Sequence, residues 1–164
     1  MKSENMHDEL NGFGKELLSK KTLNEGLVYI SEFVKNNFEA DRCSIFIYNS
    51  KEHELWTTLA DGVDKIVVSS DLGIVGQTLR TKKLIIENEA YENVNFLPDI
   101  DMETGYLTEN IISTPIFDSQ REVIGVLEFL NKEGGFNNTE DAKFVTFFAH
   151  YISVFIEMFN IYEN

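Results

Sequence analysis

The chain has 164 residues, the size of one domain, and its 43% apolar content can bury a core without metals or disulfides. Its 28 acidic against 14 basic residues give a net charge of −14, a surface that repels phosphate backbones and anionic bilayers and so disfavours nucleic-acid and membrane partners. A single cysteine (Cys43), a polar N-terminus from Met1 to Leu18 and the lack of about 18 uninterrupted apolar residues point to a cytoplasmic protein without disulfide, signal peptide or membrane span.

In chain order, residues 1–21 form a charged segment carrying Gly12 and Gly14. Leu10, Phe13, Leu17 and Leu18 fall at helical spacing, so a short or interrupted helix is predicted there. A single domain is expected over 22–162. Thr22 with Glu25 has the pattern of a capping box, and Leu23, Leu27, Ile30, Val34 and Phe38 recur every three or four residues, an amphipathic helix. Arg42 to Tyr48 and Leu55 to Leu59 read as a hairpin of strands around Asn49–Glu54, followed by a turn at Asp61-Gly62 and a strand at Ile66–Val68. Gly73 to Arg80 reads as a tight turn opening a short helix, and Leu84–Ile86 as a brief buried strand.

From Glu87 to Glu109 no period stands out. A connection of that length is either functional or disordered, and its Tyr91, Phe96, Leu97, Ile100, Met102 and Tyr106 point to an ordered segment folded over something. Ile111–Phe117 and Glu122–Leu130 form a second hairpin. Thr139 is the expected cap of a last helix that keeps Glu140 and Asp141 in its first turn and an aromatic face running from Phe144 to Phe159. This order predicts an α+β fold: an antiparallel sheet of about six strands, with the N- and C-terminal helices on one face and short helices and the long loop on the other.

No catalytic constellation is legible. His7, His53 and His150 are scattered, one cysteine cannot build a thiolate metal site, and there is no phosphate-loop lysine or serine elbow. No enzyme, cofactor or metal is expected. The turn at Gly73-Ile-Val-Gly76 is different: a helix start offers free amides and the positive dipole end, and so can hold an anion although no Arg or Lys stands in it.

The runs Asp41-Arg-Cys-Ser-Ile-Phe, Ala60-Asp-Gly, Gly73-Ile-Val-Gly, Asp101-Met-Glu-Thr-Gly-Tyr-Leu-Thr-Glu-Asn, and Pro115-Ile through Val123-Ile-Gly-Val-Leu-Glu-Phe-Leu-Asn-Lys stand in order and at family spacing. From Asp41 to Asp141 the chain thus resembles the GAF domains of cyclic-nucleotide phosphodiesterases and cyanobacterial adenylate cyclases. The resemblance implies a regulatory domain binding cAMP or cGMP, with cAMP favoured, and signalling through its terminal helices to an effector domain.

It also implies a site. Ser44 would bond the base, Ala60 and Asp61 would line the base pocket, the amides of Ile74 and Val75 would meet the cyclic phosphate, Asp101, Thr104 and Thr108 would lie on the lid, and Glu128 on the last strand. If residues 104–108 are helical, the hydroxyls of Thr104 and Thr108 share one face. On residue pattern alone Glu128 faces either solvent or a pocket, and the two threonines are either ligand donors or local caps.

The family's supporting signature appears as Asn131-Lys132, Phe136 and Glu140-Asp141, with the acidic pair in swapped order; Glu140 is expected to take the ion pair with Lys132. The resemblance further implies a homodimer through the helices around 22–38 and 140–162. The alternatives are a dimerisation module of the same fold that takes no nucleotide, a tetrapyrrole sensor, and a small reductase, which the lone cysteine opposes.

Overall fold

The computed structural model describes residues 3–57 and 66–163, with side chains from Asp8 to Phe159 apart from Ile100. The elements run α1 (Ser3–Leu18), α2 (Leu23–Phe38), β1 (Ala40–Asn49), β2 (Glu54–Thr57), β3 (Ile66–Ser69), α3 (Gly73–Thr81), β4 (Ile85–Glu87), a 3₁₀ turn (Ala90–Glu92), α4 (Asp99–Thr104), β5 (Ile111–Phe117), β6 (Val123–Lys132) and α5 (Glu140–Glu163). Six strands pair antiparallel in the order β3-β2-β1-β6-β5-β4. The expected α+β architecture is what forms, and β1 and β6 make its centre.

Alternation along these two strands sorts the faces. Cys43, Ile45, Leu127 and Phe129 point to one side, where they join Ile30, Val34, Phe38, Phe148 and Ile152 of α2 and α5 in the main core. Arg42, Ser44, Phe46, Val126, Glu128 and Leu130 point to the other, under α3 and the segment between β4 and β5. Residue pairs Ser44–Glu128 and Glu128–Ser113 lie in register, so Glu128 stands in the middle of that face.

The predicted cap of α2 holds, with a change of partner. The Glu25 N–H donates to Thr22 Oγ1 at 3.1 Å, while the Glu25 carboxylate accepts from the Lys21 N–H at 2.9 Å, one residue before the cap. At Gly26, a Cβ would overlap the ring of Phe155, so the glycine lets α2 and α5 cross in close contact. The first segment departs from expectation: α1 is one uninterrupted helix through Gly12 and Gly14, and its Phe13 and Leu17 enter the main core. Tertiary packing overrides the low helix propensity of two glycines.

The last helix also starts differently. Asn137, not Thr139, caps α5: Asn137 Oδ1 accepts from the Thr139 and Asp141 N–H groups at 3.1 and 3.2 Å, and Asp141 Oδ2 accepts from the Asn137 N–H at 2.9 Å. Over Glu140–Phe159 this helix is long and apolar enough to cross a bilayer by length and composition. Val145, Phe148, Ile152, Phe155 and Ile156 are nonetheless buried within the protein.

Candidate functional site

The Gly73-Ile-Val-Gly76 turn forms because Gly73 takes φ +74°, a conformation that costs a β-branched residue dearly. Leu72 precedes it in extended conformation and offers no side-chain cap. The first amides of α3 are therefore left uncapped by that residue, and the turn Gly73–Val75 lines a cavity of about 80 Å³ on the open face of the sheet.

The floor of this cavity is Arg42, Ser44 and Phe46 of β1 with Glu128 and Leu130 of β6. Its roof is the segment between β4 and β5. Phe96, Leu97, Asp101, Tyr106 and Thr108 face inward from it. Although that segment lacks periodicity, dense hydrogen bonding orders it. Asp101 is the hub: its carboxylate accepts from the Thr108 N–H (2.7 Å), the Thr108 hydroxyl (2.8 Å) and the Tyr91 hydroxyl (2.8 Å). Both Asp101 and Thr108 are buried. The bond to Asp101 raises the pKa of the Tyr91 hydroxyl, which keeps it a donor.

Asn131 ties the roof to the sheet. Its Oδ1 accepts from the Glu109 and Asn110 N–H groups at 2.7 and 3.2 Å, and its Nδ2 donates to the Leu107 carbonyl and the Tyr106 hydroxyl at 2.7 and 2.9 Å. At the other end of the roof, the Asn88 side chain exchanges two hydrogen bonds with the backbone of Phe136. The Asn-Lys and Phe positions of the signature thus brace the roof and stay out of the cavity.

Two expectations are corrected here. Lys132 pairs with Asp141 at 2.7 Å, not with Glu140, whose carboxylate lies 3.7 Å from Lys143 on the exposed face of the helix. The cap decides the choice: Asp141 is turned inward to answer Asn137, so its second oxygen meets the lysine. Nor do Thr104 and Thr108 share a helical face. Helix α4 ends at Thr104 with Gly105 left-handed, so Thr104 is exposed on the rim while Thr108 clasps Asp101 from within.

The structure brings Ser44, Ile74, Val75, Asp101, Thr108 and Glu128 to one cavity and leaves Thr104 outside it. Ala60 and Asp61 lie outside the described residues. Glu128 is half-buried, open to the cavity but shielded from bulk water, and this burial pushes its carboxyl up to about 8. It therefore stands in the cavity as a neutral acid near pH 7, able to donate as well as accept.

Arg42 and Tyr106 also face the cavity, and the sequence reading assigned neither to the site, although it placed Tyr106 in the folded segment. The signal was there: Arg42 lies two residues before Ser44, hence on the same face of a strand.

Comparison with known proteins identifies the family and the fold. The sequence model of the GAF domain matches residues 20–157, and the chain belongs to the GAF domain family. It is 32% identical over 112 residues to the cGMP-specific 3',5'-cyclic phosphodiesterase of Drosophila pseudoobscura pseudoobscura, covering 58% of this chain and 10% of that protein. It is 29% identical over 153 residues to the probable 3',5'-cyclic phosphodiesterase pde-5 of Caenorhabditis elegans, covering 84% and 21%. The chain thus spans about a tenth to a fifth of the length of these relatives. Among solved structures, the GAF domain of a phosphoenolpyruvate-protein phosphotransferase from Coxiella burnetii superposes with TM-score 0.84 over 99% of both chains at 18% identity, a likeness of fold.

Proposed function

We propose that this domain is a non-catalytic regulatory sensor that binds a cyclic nucleotide in the cavity between α3, the roof and the β1–β6 floor. The observation that carries the reading is the convergence there of an uncapped helix start, two buried roof residues and the paired Ser44 and Glu128. The turn at Ile74 and Val75 supplies amides for a cyclic phosphate. Ser44 and the neutral Glu128 supply donors and acceptors for a purine edge. The relatives named as cGMP-specific favour cGMP; the cAMP expected from the sequence is the other candidate. In this reading no cofactor or metal is invoked and the location is cytoplasmic, and the −14 net charge disfavours nucleic-acid and anionic membrane partners.

Ligand entry requires the roof to open, because ligand pockets usually measure about 300–1,000 Å³ and this cavity is about 80 Å³. The same observation favours the second reading, a dimerisation module whose cavity stays shut. The deciding measurement is a thermal-shift titration with cGMP and cAMP, with linear GMP and AMP as controls. Binding to the native state alone raises the melting temperature, by about 2.7 kcal/mol of stability at a hundredfold excess over the dissociation constant. No shift at millimolar concentration favours the dimerisation module.

A homodimer is part of this proposal, and so is an effector domain that it regulates. Leu27, Ile30, Val34 and Phe38 of α2 are buried in the core, while its half-buried Phe33 reaches the surface beside α1. The face left open is formed by α5 and α1 with this edge of α2. Phe147, Tyr151, Val154 and Met158 step by four, three and four along α5, a coiled-coil spacing, and grooves of about 340 and 590 Å³ flank α1 there. Glu9, Glu140 and Lys143 line the smaller groove and Lys20 the larger.

A further inference from the structure

We propose that Arg42 is the residue that makes this cavity select an anionic ligand, and that Tyr106 on the roof is the platform that carries its guanidinium. The inference rests on the cavity being a nucleotide site, and assigns within it the group that answers the phosphate charge.

Among the described residues, Arg42 is the one cation on the cavity wall. Its position follows from strand alternation, with Ser44 two residues on and Leu130 directly across on β6. The other ionisable groups on that wall cannot attract an anion. Asp101 is a carboxylate already saturated by three donors of the roof, and Glu128 is a carboxyl embedded in the floor. Outside, the chain carries −14, so its general field opposes an incoming phosphate. The amides of α3 bring partial charges only. A full positive charge in a half-buried setting, where solvent screens less than at the surface, offsets part of that opposing field at the cavity wall.

The stacking geometry leaves this charge usable. The Arg42 guanidinium lies 3.5 Å from the centroid of the Tyr106 ring. Tyr106 is itself pinned: its hydroxyl donates to Asp41 Oδ2 at 3.2 Å and accepts from Asn131 Nδ2 at 2.9 Å. Burial, with the Asp41 charge beside it, pushes this phenol up to about 12, so the ring stays neutral. A cation–π stack occupies one face of the planar guanidinium and leaves its N–H donors free around the edge. Arginine can stack and present a bidentate edge to phosphate at once; an ammonium cannot do both. Because Tyr106 belongs to the roof, the anion-binding group is placed only when the roof is down.

The test compares charged and uncharged versions of the same ligand by calorimetric titration: cGMP against guanosine, and cAMP against adenosine. The proteins are the wild type, Arg42→Met, Arg42→Gln and Arg42→Lys, each checked for an unchanged circular-dichroism spectrum and cooperative melting. The expected result is that Arg42→Met and Arg42→Gln weaken the preferred cyclic nucleotide by about tenfold or more while leaving its nucleoside nearly unchanged, with Arg42→Lys between them. If either variant fails to fold, the other carries the comparison. Cyclic-nucleotide affinity unchanged in folded Met or Gln variants overturns the proposal. So does an equal loss for nucleotide and nucleoside, which would make Arg42 a contact for the base. Failure of the wild type to bind any of the four compounds is a separate outcome that removes the nucleotide reading and this inference with it.

Discussion

At the scale of single residues, Glu128 has the most consequential environment. It is an acid held in the centre of a sheet face, flanked in register by Ser44 and Ser113. Its folded pKa of about 8 lies above the ordinary carboxyl value of 4.5, so the native state holds a proton that the unfolded chain releases. The stability this proton brings is complete below about pH 4.5 and is lost as pH rises toward 8. Over that window Glu128 contributes a fall of at most about 1.4 kcal/mol per pH unit. The Glu128→Gln variant is expected to lose this component, with a flatter profile of urea-unfolding free energy between pH 5 and 8 and a higher stability than wild type at the alkaline end. Superimposable pH profiles for the two proteins would show that the carboxyl is hydrated and ordinary.

At the scale of elements, the roof shows what the sequence could and could not disclose. Strands, helices and the two hairpins were legible because alternation and three-to-four spacing are written into Arg42–Tyr48, Ile111–Leu130 and Leu23–Phe38. The roof carries no period; its order comes from the buried Asp101 gathering donors from residues up to ten positions away, which no local pattern encodes. The Lys132 partner was hidden for a similar reason. Counting along the motif favoured Glu140, while the reciprocal cap between Asn137 and Asp141 chose the neighbour.

A prediction separates the two roof threonines. Thr108→Val leaves the Asp101 carboxylate short of one donor in a buried site, a loss of about 1–3 kcal/mol, seen as faster hydrogen exchange confined to residues 99–109. Thr104→Ala, on the exposed rim, is expected to stay within about 0.5 kcal/mol of wild type. Equal effects from both substitutions would argue against the clasp.

At the scale of the whole molecule, the exposed stripe on α5 is the feature the fold itself does not use. Phe147, Val154 and Met158 are each more than two-fifths exposed, and Leu18 beside them is three-quarters exposed. In the proposed dimer this apolar stripe is the contact surface. Sedimentation equilibrium is expected to give a dimer for the wild type and a monomer for Met158→Glu, with the melting of the isolated fold little altered. A wild type that remains monomeric at high micromolar concentration would remove the dimer from the proposal.

The crossing at Gly26 sets how these parts can move. With the Phe155 ring lodged where a side chain would otherwise begin, α2 and α5 are keyed together like a tooth in a notch. Sliding one helix along the other would press the ring against the backbone of the next turn, so this contact resists translation along the axis. Swivelling about the notch keeps the key engaged. If a rearrangement in the cavity reaches α5, this notch favours a change of angle about residue 155, with an amplitude that grows toward the C-terminal end of the helix.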